Sequence, residues 1–464
     1  MDRSRTNDGQ PAYTAHMIGT AAMKRPFLTL ACSITLLQLH AQVPANGRRI
    51  GYLMNTAEDG NTGAALGLAE AACVEGAHKT ILWSAVQPTI GTWDAGELMA
   101  LNILNLQSAV QSVPRSLQIA VTNTARNEVP AELNGYPYDH PAMVAAFTLF
   151  LDTLFAHIPD MPLVYLNIGM ESDIMWGGDA LQYQRFGNFL AQVVPHAKQR
   201  YQALHGTDLS VGTTMTWAGL TNPVSAALCQ GLNAGLDHIS LTYYGVVFGF
   251  TVKPPTQVIA DLDALMTLYP GNKPVVVQEC GYPTSVFNAS SEGLQSQFIS
   301  AMFTAWDNHW SRIPYLSVSM LTDVDSTTAV ALATYYGLTT TPYVEFHRTL
   351  GLRSWPGSGA LKPAYETLLC ELRDRGFCAT TCTASVPEGT DVAEPAYQLV
   401  VDPNGGTVRV VTAPGPSRPV RVHAADGRVV ARGRTGEPVP LGTWATGVLL
   451  IEVEGLGVRR IVLD

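Results

Sequence analysis

Short apolar, β-branched runs recur along the chain at residues 50–54, 80–86, 117–121, 163–168, 209–214, 238–244, 274–279 and 315–321, with starts 29 to 46 residues apart. Between them lie stretches with apolar residues at helical spacing, among them 143–157, 183–204, 258–268 and 293–310. Strand alternates with helix eight times. This predicts parallel strands joined by helical crossovers, and eight units favour a closed (β/α)8 TIM barrel over an open doubly wound sheet. The open sheet should also carry a glycine-rich phosphate turn after its first strand. Residues 55–61 contain no such turn.

The texture changes after Cys382. Residues 384–396 are rich in Ser, Thr, Pro, Glu and Ala without periodicity and read as a linker. From Tyr397 the pattern becomes alternating apolar and polar, broken by Gly and Pro turns, which predicts a small all-β, sandwich-like domain over 397–464. At the other end, Met23, Lys24 and Arg25 precede an apolar run over 27–39 that closes at Leu39-His40-Ala41. That is the layout of a signal peptide, so residues 1–41 are expected to be an upstream extension plus an export signal cleaved before Gln42. The run is too short to span a membrane. The barrel is assigned to 42–383.

Composition narrows the chemistry. The 464 residues carry 28 Lys plus Arg against 38 Asp plus Glu, a net charge of -10, which offers no field for a polyanion and excludes nucleic acid as a partner. Beyond Cys32, six cysteines remain. Cys370, Cys378 and Cys382 lie close enough for a local bridge from Cys370 to Cys378 or Cys382, whereas Cys73, Cys229 and Cys280 sit in apolar segments and read as buried thiols. No HExxH or paired CxxC spacing occurs among them or the 11 His, so neither a metal nor a cofactor is expected.

In a parallel barrel, chemistry sits at the C-terminal ends of strands. Glu171 follows the fourth run in Tyr165-Leu166-Asn167-Ile168-Gly169-Met170-Glu171, and Glu279 closes the seventh in Val275-Val276-Val277-Gln278-Glu279. Strand parity puts Glu279 on the face of Val277 and Val275, read here as the inward face. Strands four and seven lie across the mouth from each other, so their carboxylates can flank one bond, as glycoside hydrolysis requires.

At these residues the chain resembles the retaining glycoside hydrolases of the large (β/α)8 clan, with acid/base and nucleophile glutamates closing strands four and seven. Asp237 to Gly245 is similar to the clan's sixth strand, and Leu350-Gly351-Leu352-Arg353 with Lys362-Pro363-Ala364-Tyr365 resembles the approach to its last helix. The resemblance covers about residues 48–375. It implies Glu171 as acid/base, Glu279 as nucleophile and Tyr244 as the tyrosine orienting the nucleophile. One departure stands out. The clan places Asn before the acid/base, against the sugar 2-hydroxyl, and here that residue is Met170, leaving Asn167 as a substitute. Met170 also motivates a catalytically silent carbohydrate-binding barrel as an alternative, and an inverting hydrolase is a second.

Aromatic rings stack on the C–H faces of sugars, and Trp83, Trp176 and Trp217 fall near strand ends as candidate substrate platforms. The end of the chain resembles the C-terminal sorting domain of type IX secretion substrates, on Asp402-Pro403-Asn404, Ala425-Asp426-Gly427-Arg428 and Arg459-Arg460-Ile461-Val462. Together these imply a secreted or cell-surface enzyme that cleaves β-linked poly- or oligosaccharides by a retaining two-glutamate mechanism, with the type IX machinery as a partner.

Overall fold

The computed structural model describes residues 45–53, 62–111, 115–354, 360–378, 397–402, 407–412, 416–424, 429–441, 447–453 and 457–463. The export signal and the 384–396 linker lie outside them.

Eight strands run in parallel: β1 (Arg49–Leu53), β2 (Gly76–Leu82), β3 (Arg115–Asn123), β4 (Leu163–Met170), β5 (Val211–Thr216), β6 (Ile239–Tyr244), β7 (Val275–Gly281) and β8 (Tyr315–Val318). Each pairs with its neighbour, and β8 returns to β1, so the sheet closes. A two-residue antiparallel strand, Arg126–Asn127, folds back on β3. The expected barrel is therefore present.

Only β2 departs clearly from the hydrophobic pattern. It begins at Gly76 rather than at 80, and Trp83–Val86 is a helical turn. The cause lies inside the barrel. His78 faces the interior and is fully buried, so the strand's early residues are polar for a packing reason that periodicity does not register. The interior is polar along much of its length: Ser116 meets Gln278, Thr214 donates to Gln118, and Thr214 pairs with Ser240. Branched apolar residues usually fill such interiors. Here the apolar core sits instead between strands and helices, where Leu117, Ile119, Leu166, Leu241, Val275 and Val277 pack on Phe147, Phe150, Phe186 and Phe298.

Cys73 joins Cys378 with Cα atoms 5.8 Å apart across 305 residues of sequence. This corrects the reading of Cys73 as a free thiol and excludes Cys378 as the partner of Cys370, while the other expected partner, Cys382, lies outside the described residues. Cys73 occupies a turn at positive φ beyond the helix Thr62–Ala71, not a regular segment. Cys370 is also disulfide-bonded, and Cys229 and Cys280 are buried thiols as expected.

The C-terminal strands form a separate core. One sheet contains β9 (Tyr397–Asp402), β10 (Thr407–Thr412) and β13 (Pro438–Pro440); the other contains β11 (Pro419–Ala424), β12 (Val429–Arg434), β14 (Gly447–Val453) and β15 (Gly457–Leu463). Val408, Val410 and Val439 of the first pack with Val420, Val422 and Ile451 of the second. This is the small antiparallel domain the alternation predicts. Among the described residues no helix is long and apolar enough to cross a membrane.

Candidate active site

The end of β4 is bent to present Glu171. Register against β5 slips between Asn167 and Met170, and Gly169 within this bulge has φ +85. A Cβ there would lie 2.6 Å from Cζ of Phe186, so both the conformation and the space demand glycine. Glu171 follows in the left-handed region at φ 49, its N–H donating to the Thr214 carbonyl at 2.7 Å.

Both oxygens of Glu171 are held. Thr242 donates its hydroxyl to Oε1 at 2.6 Å and Thr124 donates to Oε2 at 2.7 Å. Burial, then the like charge of Glu279, push this carboxyl up to about 7, and the two hydroxyl donors only partly oppose them.

Glu279 reaches the same end of the barrel interior by a route that parity misses. Val275 and Val277 face outward into the helix-packed core, while Gln278 lies inside against Ser116. A register slip on β7 between Val277 and Glu279 then turns Glu279 inward beside Thr242. Two consecutive side chains, Gln278 and Glu279, thus face the interior. The expected direction is correct and its stated reason is not. Tyr244 donates its hydroxyl to Glu279 Oε2 at 2.7 Å and is itself within 2.9 Å of Ser319 Oγ, as the resemblance implies for that tyrosine. Nε2 of His78 stands 3.4 Å from Oε1.

After β8 the chain makes two helices, Ser326–Tyr335 and Thr341–Arg348, that pack against the mouth. Tyr343 and Phe346 cluster with Tyr244, and Phe346 meets its ring edge-on at 5.1 Å. Tyr335 donates to buried Glu128, accepts from Asn123 at 3.0 Å and lies under the Arg126 guanidinium. Burial and then the charges of Glu171 and Glu279 raise the Tyr336 phenol. His347 is pushed down to about 4 by burial, against the pull of Glu279.

The other expected substrate residues are spread out. Asn167 lies fully buried inside the barrel, where its side-chain oxygen accepts from His238 Nε2 at 2.9 Å. Trp83 is fully buried, meets Phe147 edge-on and donates to Gln87, leaving no ring face for a sugar. Trp217 donates to the Asp261 carbonyl and carries the Lys253 ammonium 4.0 Å above its ring. Trp176 is mostly buried against Tyr138, Tyr183 and Phe186, yet its edge lines a cleft of about 200 Å³ with Asn127, Tyr138, Met175, Asp179 and Gln182. Met170 is buried and in register with Asn123 and Thr214.

The structure therefore brings Glu171, Glu279 and Tyr244 together and leaves Asn167, Trp83 and Trp217 in packing roles. Sequence reasoning overlooked Thr124, His78 and Gln278. A signal existed for the last two, since polar residues inside otherwise apolar strands need buried partners.

No family model matches the chain, and no curated protein matches it. Its fold is shared with solved glycoside hydrolases. A GH5_18 variant from Streptomyces cattleya, in complex with Manb1-4GlcNAc, aligns at TM-score 0.55 and 16% identity over 72% of this chain and 82% of its own. GH5_18 from Bifidobacterium longum subsp. infantis aligns at TM-score 0.54 and 13% identity over 72% and 80%. An exo-beta-1,4-mannosidase from Opitutaceae bacterium strain TAV5 aligns at 0.53 and 14%, and the chain spans 59% of that protein's length. At these identities the likeness is one of fold, a (β/α)8 barrel.

Proposed function

We propose that this chain hydrolyses β-linked glycosides with retention, Glu279 attacking the anomeric carbon and Glu171 serving as acid and then base. The observation that carries this reading is the unequal treatment of two carboxyls close enough for the charge of one to act on the other. Glu171 is pushed up to about 7, so a substantial share of it holds a proton near neutral pH and can donate to a leaving oxygen. Glu279 has a phenol donor on one oxygen and a ring nitrogen beside the other, which suits an anionic nucleophile.

In the first step the Glu279 carboxylate forms a bond to C1 while the C1–O bond breaks and Glu171 protonates the departing oxygen. In the second, Glu171 takes a proton from water, the water oxygen bonds to C1, and the ester to Glu279 breaks. The alternative of a silent binding barrel rests on Met170, which offers no polar group where the resemblance leads one to expect Asn. Domain boundaries at 383 and 396, export through the signal at 1–41 and type IX sorting by 397–464 belong to the same proposal.

The test is a screen of p-nitrophenyl β-glycosides, β-mannosides first because of the sugars named in the neighbouring structures. Release of nitrophenol that Glu279→Gln abolishes supports the reading. Binding of the glycans without release, in the wild-type protein, would favour the silent barrel instead.

A further inference from the structure

We infer that His78, locked in one tautomer by Gln278, is a positioning residue for Glu279. The inference rests on the proposed role of that carboxylate. His78 projects from β2 into the barrel and is fully buried. Gln278, the residue before Glu279, presents its amide nitrogen to His78 Nδ1 and to Ser116 Oγ. A ring nitrogen that accepts a hydrogen bond carries no proton, so the proton of the neutral ring is on Nε2. Thr80 Oγ1 is hydrogen-bonded to Nε2 at 3.2 Å, and Glu279 Oε1 lies 3.4 Å from the same nitrogen.

The arrangement matters because of what it withholds. Glu279 accepts from a phenol of β6 on Oε2 and has a ring nitrogen of β2 3.4 Å from Oε1. Among the described residues, the other groups that sense the Glu279 charge are Glu171 after β4, Tyr336 just beyond the first mouth helix, His347 in the second and the adjacent Cys280 thiol. None is a Lys or Arg. A ring held in this tautomer stands beside the carboxylate without cancelling its charge, and that charge is one of three causes, with burial and Asp173, that raise the Glu171 carboxyl. A doubly protonated ring would pair with Glu279 and weaken that push. The β7 bulge makes the device possible, because only two consecutive inward residues let β7 carry both the carboxylate and the amide that sets the tautomer of its neighbour.

The test needs no known sugar. Long-range ¹H–¹⁵N spectra of the ¹⁵N-histidine-labelled full chain at pH 7 should show His78 with a protonated Nε2 and a bare Nδ1. Glu279→Gln should move the His78 Nε2 resonance, and Gln278→Met should produce a mixture of tautomers. A proton on Nδ1, a doubly protonated ring, or an Nε2 signal indifferent to Glu279→Gln would each overturn the inference, whether or not the enzyme turns over. On the p-nitrophenyl β-glycoside selected by the screen, His78→Phe should lower kcat about 10- to 100-fold with KM within about twofold. His78→Gln, which restores an N–H, should recover part of the loss. An unaltered kcat in a folded His78→Phe protein would also overturn it. A chain with no glycosidase activity but the expected spectra would remove the catalytic reading and leave the positioning intact.

Discussion

Thr242 donates its hydroxyl to Glu171 while its backbone lies in register with Glu279 on the next strand. One residue of β6 thereby fixes the spacing between the two carboxyls. Because the donor favours the charged form of Glu171, it also opposes burial and the neighbouring charge.

The first prediction is the basic limb of the pH profile. In its proposed role as acid Glu171 must be protonated, so turnover of a poor leaving group should decline as pH rises through about 7. Thr242→Val deletes a contact that lowers the Glu171 value, and the limb should move to higher pH. The same shift has a stability consequence. A carboxyl that binds its proton more tightly folded than unfolded makes the native state lose stability as pH rises from about 4.5 to about 7. Rate profiles of wild type and Thr242→Val, compared on one substrate, check the sign.

Division of labour between the glutamates gives the second. Glu279→Gln should lower hydrolysis by about three orders of magnitude or more with the fold intact. Glu171→Ala should still react with an aryl glycoside of good leaving group and then stall. Azide should restore turnover and yield a glycosyl azide of retained configuration, identified by NMR. An inverted azide from this variant would exchange the roles.

Gly169 provides a backbone test. Alanine there must adopt φ +85 and place its Cβ 2.6 Å from the Phe186 ring. Strain and overpacking together should cost about 2–4 kcal/mol, read by urea unfolding. Glu171 follows two residues later, so residual activity should fall by more than the loss of folded protein accounts for.

The fourth concerns the Cys73–Cys378 bridge, which ties the turn after the first helix to the end of the barrel segment. Cys378→Ser should lower the unfolding free energy by about 2–5 kcal/mol. A thermal scan with and without reductant should show wild type approaching the variant once its disulfides are reduced.

Periodicity alone located all eight barrel strands, because the outward faces of β3, β4, β6 and β7 pack on helices and must be apolar. It misplaced the start of β2, where His78 is polar for the sake of contacts with Gln278 and Glu279 on a distant strand. The positions of Glu171 and Glu279 were legible from the rule that barrel chemistry gathers at strand ends. Their local geometry was not, since a bulge is one extra residue with no hydrophobic signature. The tryptophans misled for a related reason. Trp83 and Trp217 stand where a platform would stand, but Phe147 and Lys253 occupy their rings, and both partners come from remote sequence.

The slip in β7 also sets how this strand can change over generations. Side chains may be exchanged there at a local cost, yet gaining or losing a single residue between Val275 and Glu279 would rotate the carboxylate out of the barrel interior and into the helix layer. Variation in this stretch is therefore confined to substitution at constant length. The surface loops that join the helices carry no such constraint, and insertions that reshape the mouth should accumulate in them.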